Sequence, residues 1–372
     1  MKSNRLTSTL LIAVFIVCGC QKSKESATLK DALKGKFYIG TALSSQQYWE
    51  RDTANADIAK QHFNAVVAEN SMKSMYLQPN EGEFKFEDAD RFVEFGEQND
   101  MWITGHCLIW HSQLPGWFCV DENGENVTPE VLKARMQSHI STVVKRYKGR
   151  IKGWDVVNEA ILDNGDYRNS KFYEILGEEF IPLAFQYAHE ADPDAELYYN
   201  DYNEWHSGKR ETIVKMINTM KERGIRIDAI GMQGHVGMEN PSIAEYEEAI
   251  LAYTNAGVNV MITEFDLSIL PSPRRGIGAD LSVDIEYQQE INPYTEGVPD
   301  DVSVMWTNRM LDFFKLFLKY QGKVTRVTMW GVSDGVSWKN NHPVRGRTDY
   351  PLFFDRNHQT KPVVEEIIML AK

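Results

Sequence analysis

Short apolar stretches rich in β-branched and aromatic residues alternate along the chain with longer stretches in which apolar residues recur every three or four positions. The short stretches are typical of buried strands and the longer ones of amphipathic helices. Such alternation favours a parallel α/β fold with helices packed outside the sheet. Eight stretches are predicted to be strands: Phe37 to Leu43, Ala65 to Asn70, Trp102 to Trp110, Ile151 to Glu159, Glu196 to Asn203, Ala229 to His235, Val258 to Asp266 and Arg326 to Asp334.

Two of the predicted helices have clear start signals. Thr128 followed by Pro129 is typical of an N-cap and a first helical position, and apolar residues continue at helical spacing as far as Tyr147. Ser242 and Glu245 have the spacing of a capping box, which opens another helix. Two further helices are predicted from periodicity, Trp306 to Tyr320 and Val363 to Leu370.

Eight strand–helix units fit a single (β/α)₈ TIM barrel that occupies residues 35–372, and no break in composition marks an internal domain boundary. The segment from Ser268 to Met305 departs from the pattern because it is rich in proline, glycine and charged residues. Loops of this length are commonly functional. Since it follows the seventh strand, we expect it to overhang the open end of the barrel.

The N-terminal segment has the features of an export signal. Basic residues precede an apolar run from Leu10 to Val17, which is too short to span a bilayer. The run ends in Cys-Gly-Cys20, which resembles a bacterial lipobox. We therefore expect a lipoprotein signal peptide at residues 1–19, lipid on Cys20, a polar tether at residues 20–34, and anchoring in the bacterial cell envelope at the outer membrane, the cell surface or the periplasmic face. An ordinary signal peptide with incidental cysteines is the alternative.

Charge and cysteine content narrow the possible partners. A net charge of −13 disfavours nucleic acid, which requires clustered lysine and arginine. After cleavage at Cys20 only Cys107 and Cys119 remain besides it, too few for a disulfide framework. An oxidising compartment permits them to pair, but we expect buried free thiols. No cysteine–histidine spacing matches a zinc site, so we expect no metal and no cofactor. We also expect a monomer.

Polar side chains stand at the carboxyl ends of seven predicted strands. Because these ends converge on one face of a parallel barrel, their side chains are expected to share one cleft. They are Glu69 and Asn70, His106 and Trp110, Asn158 and Glu159, Asn200 to Asn203, Gln233 and His235, Glu264 and Asp266, and Trp330 and Asp334.

Glu159 and Glu264 carry the most specific chemistry, because each ends an otherwise apolar run. A buried carboxylate is unfavourable unless it is paired or used. A lone strand-end glutamate could belong to a structural ion pair, but neither local sequence supplies a neighbouring cation. Two carboxylates in one cleft are what hydrolysis of a glycosidic bond requires.

The histidines and tryptophans also admit structural interpretations. A single strand histidine is commonly a core residue, but its place beside the carboxylates favours function for His235, whereas both interpretations stay open for His106. Trp330 and Trp338 could fill the mouth of the barrel, or they could stack on sugar rings.

Several of these segments closely resemble the motif series of glycoside hydrolase family 10, whose members are mostly endo-β-1,4-xylanases. The resemblance runs from about residue 37 to the C-terminus. Ser74 replaces a common tryptophan, and Cys107 stands where threonine is usual. The matching segments are Glu69 to Lys73, Gly105 to Pro115, Trp154 to Ala160, Gly231 to His235, Ile262 to Leu267, and Trp330 to Asp334 followed by Trp338.

The resemblance implies that Glu159 is the acid/base and Glu264 the nucleophile of a retaining double displacement. Retention requires carboxyl groups about 5 to 5.5 Å apart, because the nucleophile reaches the anomeric carbon directly. Two carboxylates so close cannot both ionise easily, so Glu159 should keep its proton toward neutral pH.

The resemblance also implies supporting catalytic roles for three residues. His235 should hydrogen-bond the nucleophile, Asp266 should orient that imidazole, and Asn158 should hold the sugar 2-hydroxyl. The expected substrate-binding residues are Glu69, Asn70, Lys73, His106, Trp110 and Gln233, the stacking platforms Trp330 and Trp338, and, on the aglycone side, Tyr202 and Asn203.

The implied activity is that of an endo-1,4-β-xylanase acting on xylan or xylo-oligosaccharides. A β-1,4-glucanase or mixed glucanase is an alternative, because similar barrels serve many polysaccharides. A lipid-anchored protein that only captures glycans is another, although the presence of both carboxylates and of His235 speaks against it.

Overall fold

A computed structural model describes residues 27–271 and 291–372, in which eight parallel strands close into a barrel. β6 pairs with β8 and β1 pairs with β9, so the sheet has no open end, while the short β7 pairs with β8 beyond the end of β6. The (β/α)₈ TIM barrel predicted from the sequence is confirmed. The strands are β1 (Tyr38–Leu43), β2 (Ala65–Ala68), β3 (Trp102–Trp110), β4 (Gly153–Asn158), β5 (Glu196–Asp201), β6 (Ala229–Met232), β7 (His235–Gly237), β8 (Asn259–Ser268) and β9 (Val324–Met329).

The sixth predicted strand is divided into β6 and β7. Between them Gly234 has φ +77°, a left-handed conformation that glycine adopts without steric strain. A Cβ atom at this position would lie 2.9 Å from the side chains of Ile262 and Phe265. The single continuous strand predicted from Ala229 to His235 is therefore wrong at this residue.

Helices surround the barrel and bury their apolar faces against it. The predicted start signals are confirmed: Thr128 accepts a hydrogen bond from the Val131 N–H, and Ser242 and Glu245 form a reciprocal capping box. The helices are α1 (Leu29–Ala32), α2 (Ser45–Tyr48), α3 (Thr53–His62), α4 (Ser74–Leu77), α5 (Glu87–Gln98), α6 (Pro129–Arg146), α7 (Lys171–Leu176), α8 (Phe180–Ala191), α9 (Ser207–Glu222), α10 (Ile243–Asn255), α11 (Asp300–Lys319) and α12 (Pro362–Leu370).

The folded body begins before residue 35. Leu29 and Leu33 are fully buried in the main core, and the Lys30 ammonium donates to the Lys60 carbonyl at 2.6 Å. The tether predicted for residues 20–34 is therefore wrong at its C-terminal end, because two leucines in this polar segment pack on the barrel. The predicted signal peptide and Cys20 lie outside the described residues.

The segment predicted as a loop from Ser268 to Met305 is partly helical. α11 begins at Asp300, six residues before the predicted start at Trp306, with Pro299 as N-cap and Asp300 and Asp301 in its first turn. Acidic residues favour a helix N-terminus, which explains the earlier start. Residues 272–290, on which the expected overhang mainly depends, lie outside the described residues.

Both barrel cysteines are buried free thiols, and burial raises the pKa of Cys119 to about 12. In the two described ranges, no helix is long and apolar enough to cross a membrane.

Candidate active site

Glu159 and Glu264 lie at the same end of the barrel and are joined by hydrogen bonds. The Asn200 Nδ2 atom, on β5, donates to Glu264 Oε1 at 2.8 Å and to Asn158 Oδ1 at 2.9 Å. The Asn158 Nδ2 atom in turn donates to Glu159 Oε1 at 3.2 Å. Thr263 Oγ1 donates to Asn200 Oδ1 at 2.6 Å, which fixes the orientation of this amide. The two carboxyl groups therefore belong to one connected site.

Glu159 is held by two further donors. Its Oε2 accepts from Trp110 Nε1 at 2.9 Å, and its Oε1 accepts from Gln233 Nε2 at 3.0 Å. Its backbone adopts φ +57°, a conformation that costs a non-glycine residue on the order of 1 to 3 kcal/mol and that clusters at functional sites. The backbone thus leaves the line of β4 at this residue.

Burial raises the pKa of Glu159, and the negative charges of Asp201 and Glu264 add to this increase. Hydrogen bonds from Gln233 and Trp110 act in the opposite direction without cancelling it. The raised pKa of Glu159 agrees with the expectation from the sequence. That expectation was based on repulsion from Glu264, whereas burial is the larger cause. Glu159 therefore keeps its proton at pH values where an exposed glutamate has lost it.

Glu264 has the opposite balance, although it is the more buried of the two, with 6% of its surface exposed. Burial opposes its ionisation, but the hydrogen bond from His235, at 3.3 Å, and the charges of His106 and His235 hold its pKa below the ordinary value. Environments that move two neighbouring carboxyl groups in opposite directions are typical of an acid and a nucleophile.

His235 connects Glu264 to a second carboxylate. Its Nδ1 atom lies 2.9 Å from Asp266 Oδ2, and its Nε2 atom faces Glu264. Burial alone would lower the pKa of His235, but Asp266 and Glu264 raise it to about 9. The ring is therefore an imidazolium at neutral pH and donates to both carboxylates. Both contacts that the sequence predicted for His235 are present.

Asp266 is fully buried and has two more partners. Trp338 Nε1 donates to its Oδ2 at 2.8 Å, and Lys339 Nζ lies 3.3 Å from its Oδ1. The Trp338 ring packs 5.0 Å from the His235 ring and 4.8 Å from that of His342. Trp338 therefore belongs to the support of the site as well as to its wall.

The polar residues expected on the glycone side also lie at this end of the barrel. Lys73 Nζ donates to Asn70 Oδ1 at 3.0 Å and lies 5.0 Å from the centre of the Trp110 ring. Burial lowers the pKa of Lys73, while Glu264, Glu69 and Glu159 all act to raise it, as expected of a lysine that faces this cluster. Burial also raises the pKa of Glu69.

His106 is part of a second buried histidine–aspartate pair. Its Nδ1 atom lies 2.9 Å from Asp155 Oδ2, and both side chains are 2% exposed. The ring packs edge-on against Trp330 at 5.5 Å. The structural and functional interpretations of His106 are therefore compatible. Its buried partner Asp155 fixes the orientation of the ring, and the ring contacts Trp330, which is predicted to stack on the sugar.

The expected aglycone residues follow β5. The Tyr202 hydroxyl accepts from Arg168 Nη2 at 2.7 Å, and Arg168 Nε donates to the Glu159 carbonyl at 2.9 Å. Asn203 donates to Asp163 Oδ2 at 3.0 Å. Arg168 thus ties Tyr202 to the backbone of Glu159.

Residues 28–370 match the family model described as glycosyl hydrolase family 10. The chain belongs to this family. Endo-1,4-beta-xylanase A from Xylanibacter ruminicola is 50% identical over 348 residues, which cover 94% of each chain. Beta-1,4-xylanase from Dictyoglomus thermophilum is 38% identical over 349 residues, covering 93% of this chain and 92% of its own. A GH10 endoxylanase from a sugarcane soil metagenome superposes with a TM-score of 0.87 and 44% identity, covering 93% of this chain and 99% of its own.

The family 10 resemblance read from the motifs is thereby confirmed, and the structure refines the position of several residues. Trp110 and Gln233, predicted to bind substrate, are 6% and 2% exposed, and both direct a side-chain N–H to Glu159. Asp334, grouped with the strand ends, instead pairs with Lys361 at 2.8 Å and accepts from the Leu352 N–H. It is part of the support of the barrel wall.

Three residues of the site were missed from the sequence, and a fourth, Asn200, was placed in the cleft by the strand-end argument but given no role. Asp155 is a polar position inside a buried strand, which is the signal that could have found it. Arg168 and Lys339 lie in loops, and their contacts with Glu159 and Asp266 depend on how the chain folds back.

Within residues 27–271 and 291–372, no group of three or more histidine, cysteine, aspartate or glutamate side chains is arranged to hold a metal ion.

Proposed function

We propose that the protein is an endo-1,4-β-xylanase that hydrolyses internal β-1,4-xylosidic bonds of xylan with net retention of configuration. The observation that carries this proposal is a pair of glutamates, Glu264 buried and Glu159 half-buried, in one hydrogen-bonded site where their pKa values move in opposite directions. Relatives named as endo-1,4-beta-xylanases match nearly the whole chain, which supports the choice of xylan.

In the first step, Glu159 acts as the general acid and Glu264 as the nucleophile. The raised pKa of Glu159 supplies a proton for the leaving oxygen of the glycosidic bond. The lowered pKa of Glu264 keeps its carboxylate ionised, so that it attacks the anomeric carbon and forms a glycosyl ester. The released sugar chain leaves from the aglycone side.

In the second step, the same glutamate becomes the base. The ester removes the negative charge of Glu264, and with it part of what raises the pKa of Glu159. Glu159 then accepts a proton from water, which attacks the anomeric carbon from the side that the leaving group occupied. Two inversions at one carbon give net retention.

His235 and Asp266 support the nucleophile, and Asn158 is placed for the sugar. The imidazolium of His235 stabilises ionised Glu264 and is itself fixed by Asp266. Asn158 donates to Glu159 and accepts from Asn200, which in turn donates to Glu264; from this position between the two glutamates we expect its amide to bond the 2-hydroxyl of the reacting sugar. A hydrogen bond there strengthens as positive charge develops at the neighbouring carbon.

We expect an aryl β-xylobioside to be hydrolysed about 10 to 200 times faster, in kcat/KM, than the aryl β-cellobioside with the same leaving group. Xylose lacks the exocyclic hydroxymethyl group, and one such group in a tight pocket is worth about 1 to 3 kcal/mol. Trp330 lies in a small buried cluster with Ala42 and Val67, and Trp338 packs against that cluster, so the two tryptophans form the expected steric boundary. Initial rates on the two substrates measure the ratio. A cellobioside that reacts much faster would instead indicate a glucanase.

Hydrolysis of the polymer needs its own measurement, because a protein that only captures glycans would bind xylan without cleaving it. New reducing ends that appear in soluble xylan before free xylose accumulates would indicate endo action. Retention of xylan without new reducing ends would contradict the proposed activity.

We further propose that the protein is lipid-anchored in the cell envelope through Cys20, on the basis of the lipobox-like sequence Val17-Cys-Gly-Cys20. Replacing Cys20 with serine should move the protein from the membrane fraction to the soluble fraction, because serine cannot form the thioether to lipid. Cys18→Ser is the matched control, since cleavage before Cys20 discards residue 18. Unchanged membrane retention of Cys20→Ser would count against the anchor.

A further inference from the structure

Glu204 is a fully buried carboxyl group that the catalytic steps above do not use. It follows Asn203 in the turn after β5, and 0% of its surface is exposed. Its Oε1 accepts a hydrogen bond from the Gln233 backbone N–H at 2.5 Å, and the same N–H also reaches the Asp201 carbonyl at 2.9 Å. Glu204 therefore links the turn after β5 to the break between β6 and β7.

The break between β6 and β7 contains Gln233, whose side chain holds the acid/base Glu159. Gln233 Nε2 donates to Glu159 Oε1 at 3.0 Å and lies 3.5 Å from Asn158 Oδ1. The backbone position of Gln233 determines where this amide points, because a glutamine side chain buried to 98% has little freedom to adjust. A single residue, Gln233, therefore connects Glu204 to Glu159 through hydrogen bonds.

The charges around Glu204 leave it without a counter-ion. Asp201 on β5, Lys209 on α9, and Tyr246 and Tyr253 on α10 are the titratable groups that face it. Lys209 Nζ already pairs with Asp201 at 2.9 Å and with Asp163 at 3.2 Å, and no described cation forms a salt bridge with Glu204.

The remaining contacts of Glu204 do not balance a negative charge. Tyr253 donates to its backbone carbonyl rather than to its carboxyl group. In the described part of the chain, Glu204 Oε2 is buried without a hydrogen-bond partner, and so is the hydroxyl of Tyr246. Burial raises the pKa of Glu204 well above its ordinary value and repulsion from Asp201 adds to this, while the backbone N–H groups of Glu204 and Gln233 and the charge of Lys209 act in the opposite direction without cancelling it. An ionised carboxylate in this place would be strongly disfavoured.

We propose that Glu204 is a positioning residue that, as an un-ionised carboxylic acid, holds Gln233 in place and thereby sets the pH range over which Glu159 acts as an acid. The proposal rests on the proposed function, in which Glu159 is the acid/base. The Gln233 hydrogen bond lowers the pKa of Glu159, so any loosening of Gln233 raises that pKa further.

The test compares Glu204→Leu with Glu204→Gln in pH profiles of kcat/KM and kcat on an aryl xylobioside. The leucine variant loses the side-chain acceptor of the Gln233 N–H, which keeps only the Asp201 carbonyl and no longer links Gln233 to the turn after β5 through residue 204. The alkaline limb of its pH profile should move to higher pH, because the pKa of Glu159 rises. Its kcat should also fall about tenfold with little change in KM, because Glu159 is no longer held in the position from which it protonates the leaving oxygen. The glutamine variant keeps a carbonyl acceptor and is neutral, so its kcat/KM should stay within about threefold of the parent, with both limbs unmoved.

Tyr253→Phe is the matched structural control. It removes a hydrogen bond to the same turn but leaves the link between Glu204 and Gln233 intact. It should lower the midpoint temperature of thermal unfolding without moving the alkaline limb of the pH profile of kcat/KM. A Glu204→Leu variant that behaves in the same way, with a lower midpoint and an unchanged limb, would reduce Glu204 to a packing residue and overturn the proposal.

The protonation state has its own readout. At pH 8 the infrared difference spectrum of parent minus Glu204→Gln should contain the carbonyl band of a protonated carboxylic acid. Carboxylate bands in its place, or a limb of Glu204→Gln displaced to lower pH, would show that Glu204 is ionised and overturn the proposal. An inactive parent would contradict the proposed function instead, and the infrared spectrum would still determine the state of Glu204.

Discussion

Replacement of Glu264 with alanine is expected to lower turnover on xylan by at least about 10⁴-fold while leaving xylan binding close to that of the parent. The carboxylate is the group that forms the glycosyl ester, and a buried alanine offers no substitute. Although both lose their bond to Glu264, His235 keeps its contact with Asp266, and Asn200 keeps its bonds to Asn158 and Thr263, so these neighbours stay anchored around the vacant position.

Added azide should partly restore the Glu264→Ala variant with an activated aryl xylobioside. The small anion enters from the nucleophile's side, so a single displacement should give the α-xylobiosyl azide. Isosteric Glu264→Gln is the control, because its amide fills the space that azide needs and should stay inactive. Activity of Glu264→Ala within tenfold of the parent would show that another residue is the nucleophile.

Replacement of Glu159 with alanine should lower turnover on xylan by about 10² to 10⁴-fold, the usual contribution of general acid catalysis. The loss should depend on the leaving group. A dinitrophenyl xylobioside departs without protonation, so its first step should proceed at nearly the parent rate. The second step still lacks its base, and the glycosyl–enzyme should therefore accumulate.

Rapid mixing with the dinitrophenyl substrate measures this as a burst of phenolate followed by a slow steady state. Azide should accelerate the steady state and give the β-xylobiosyl azide, because it attacks the ester from the side that Glu159 occupied. The opposite configurations of the two azide products distinguish the two glutamates. An equal loss on all leaving groups would contradict the role of Glu159 as the acid.

The barrel and its two glutamates could be predicted because both depend on local patterns. Strand and helix periodicity gave eight alternating units, and the carboxyl ends of parallel strands meet wherever such units close into a barrel. The positions of Glu159 and Glu264 follow from that rule alone, without knowledge of any contact.

Contacts that cross the barrel could not be predicted in this way. Asn200 bonds to Asn158 and Glu264 across 42 and 64 positions of the sequence, and Lys339 reaches Asp266 from a loop. The burial of Leu29 and Leu33 could not be predicted either. Two apolar residues in a short polar segment are too few to show the periodicity that marks a helix.

The different states of the two glutamates also depend on these contacts. Both lie at the same end of the barrel, and removal from water acts to raise the pKa of each. The difference is that His235, held as a cation by Asp266, faces Glu264, whereas Asp201 adds negative charge near Glu159. His235 and Asp266 were assigned from motifs, but the contribution of Asp201 appears only in the folded chain.

The central claim is that Glu264 forms a covalent ester while Glu159 serves it as acid and base. Incubation of the parent with dinitrophenyl 2-deoxy-2-fluoro-β-xylobioside, which forms the ester quickly and releases it slowly, tests this most directly. Mass spectrometry of the intact protein should show one added fluoroxylobiosyl group, and digestion should place it on Glu264. A label on any other residue, or no label together with inverted products from the natural substrate, would contradict the account.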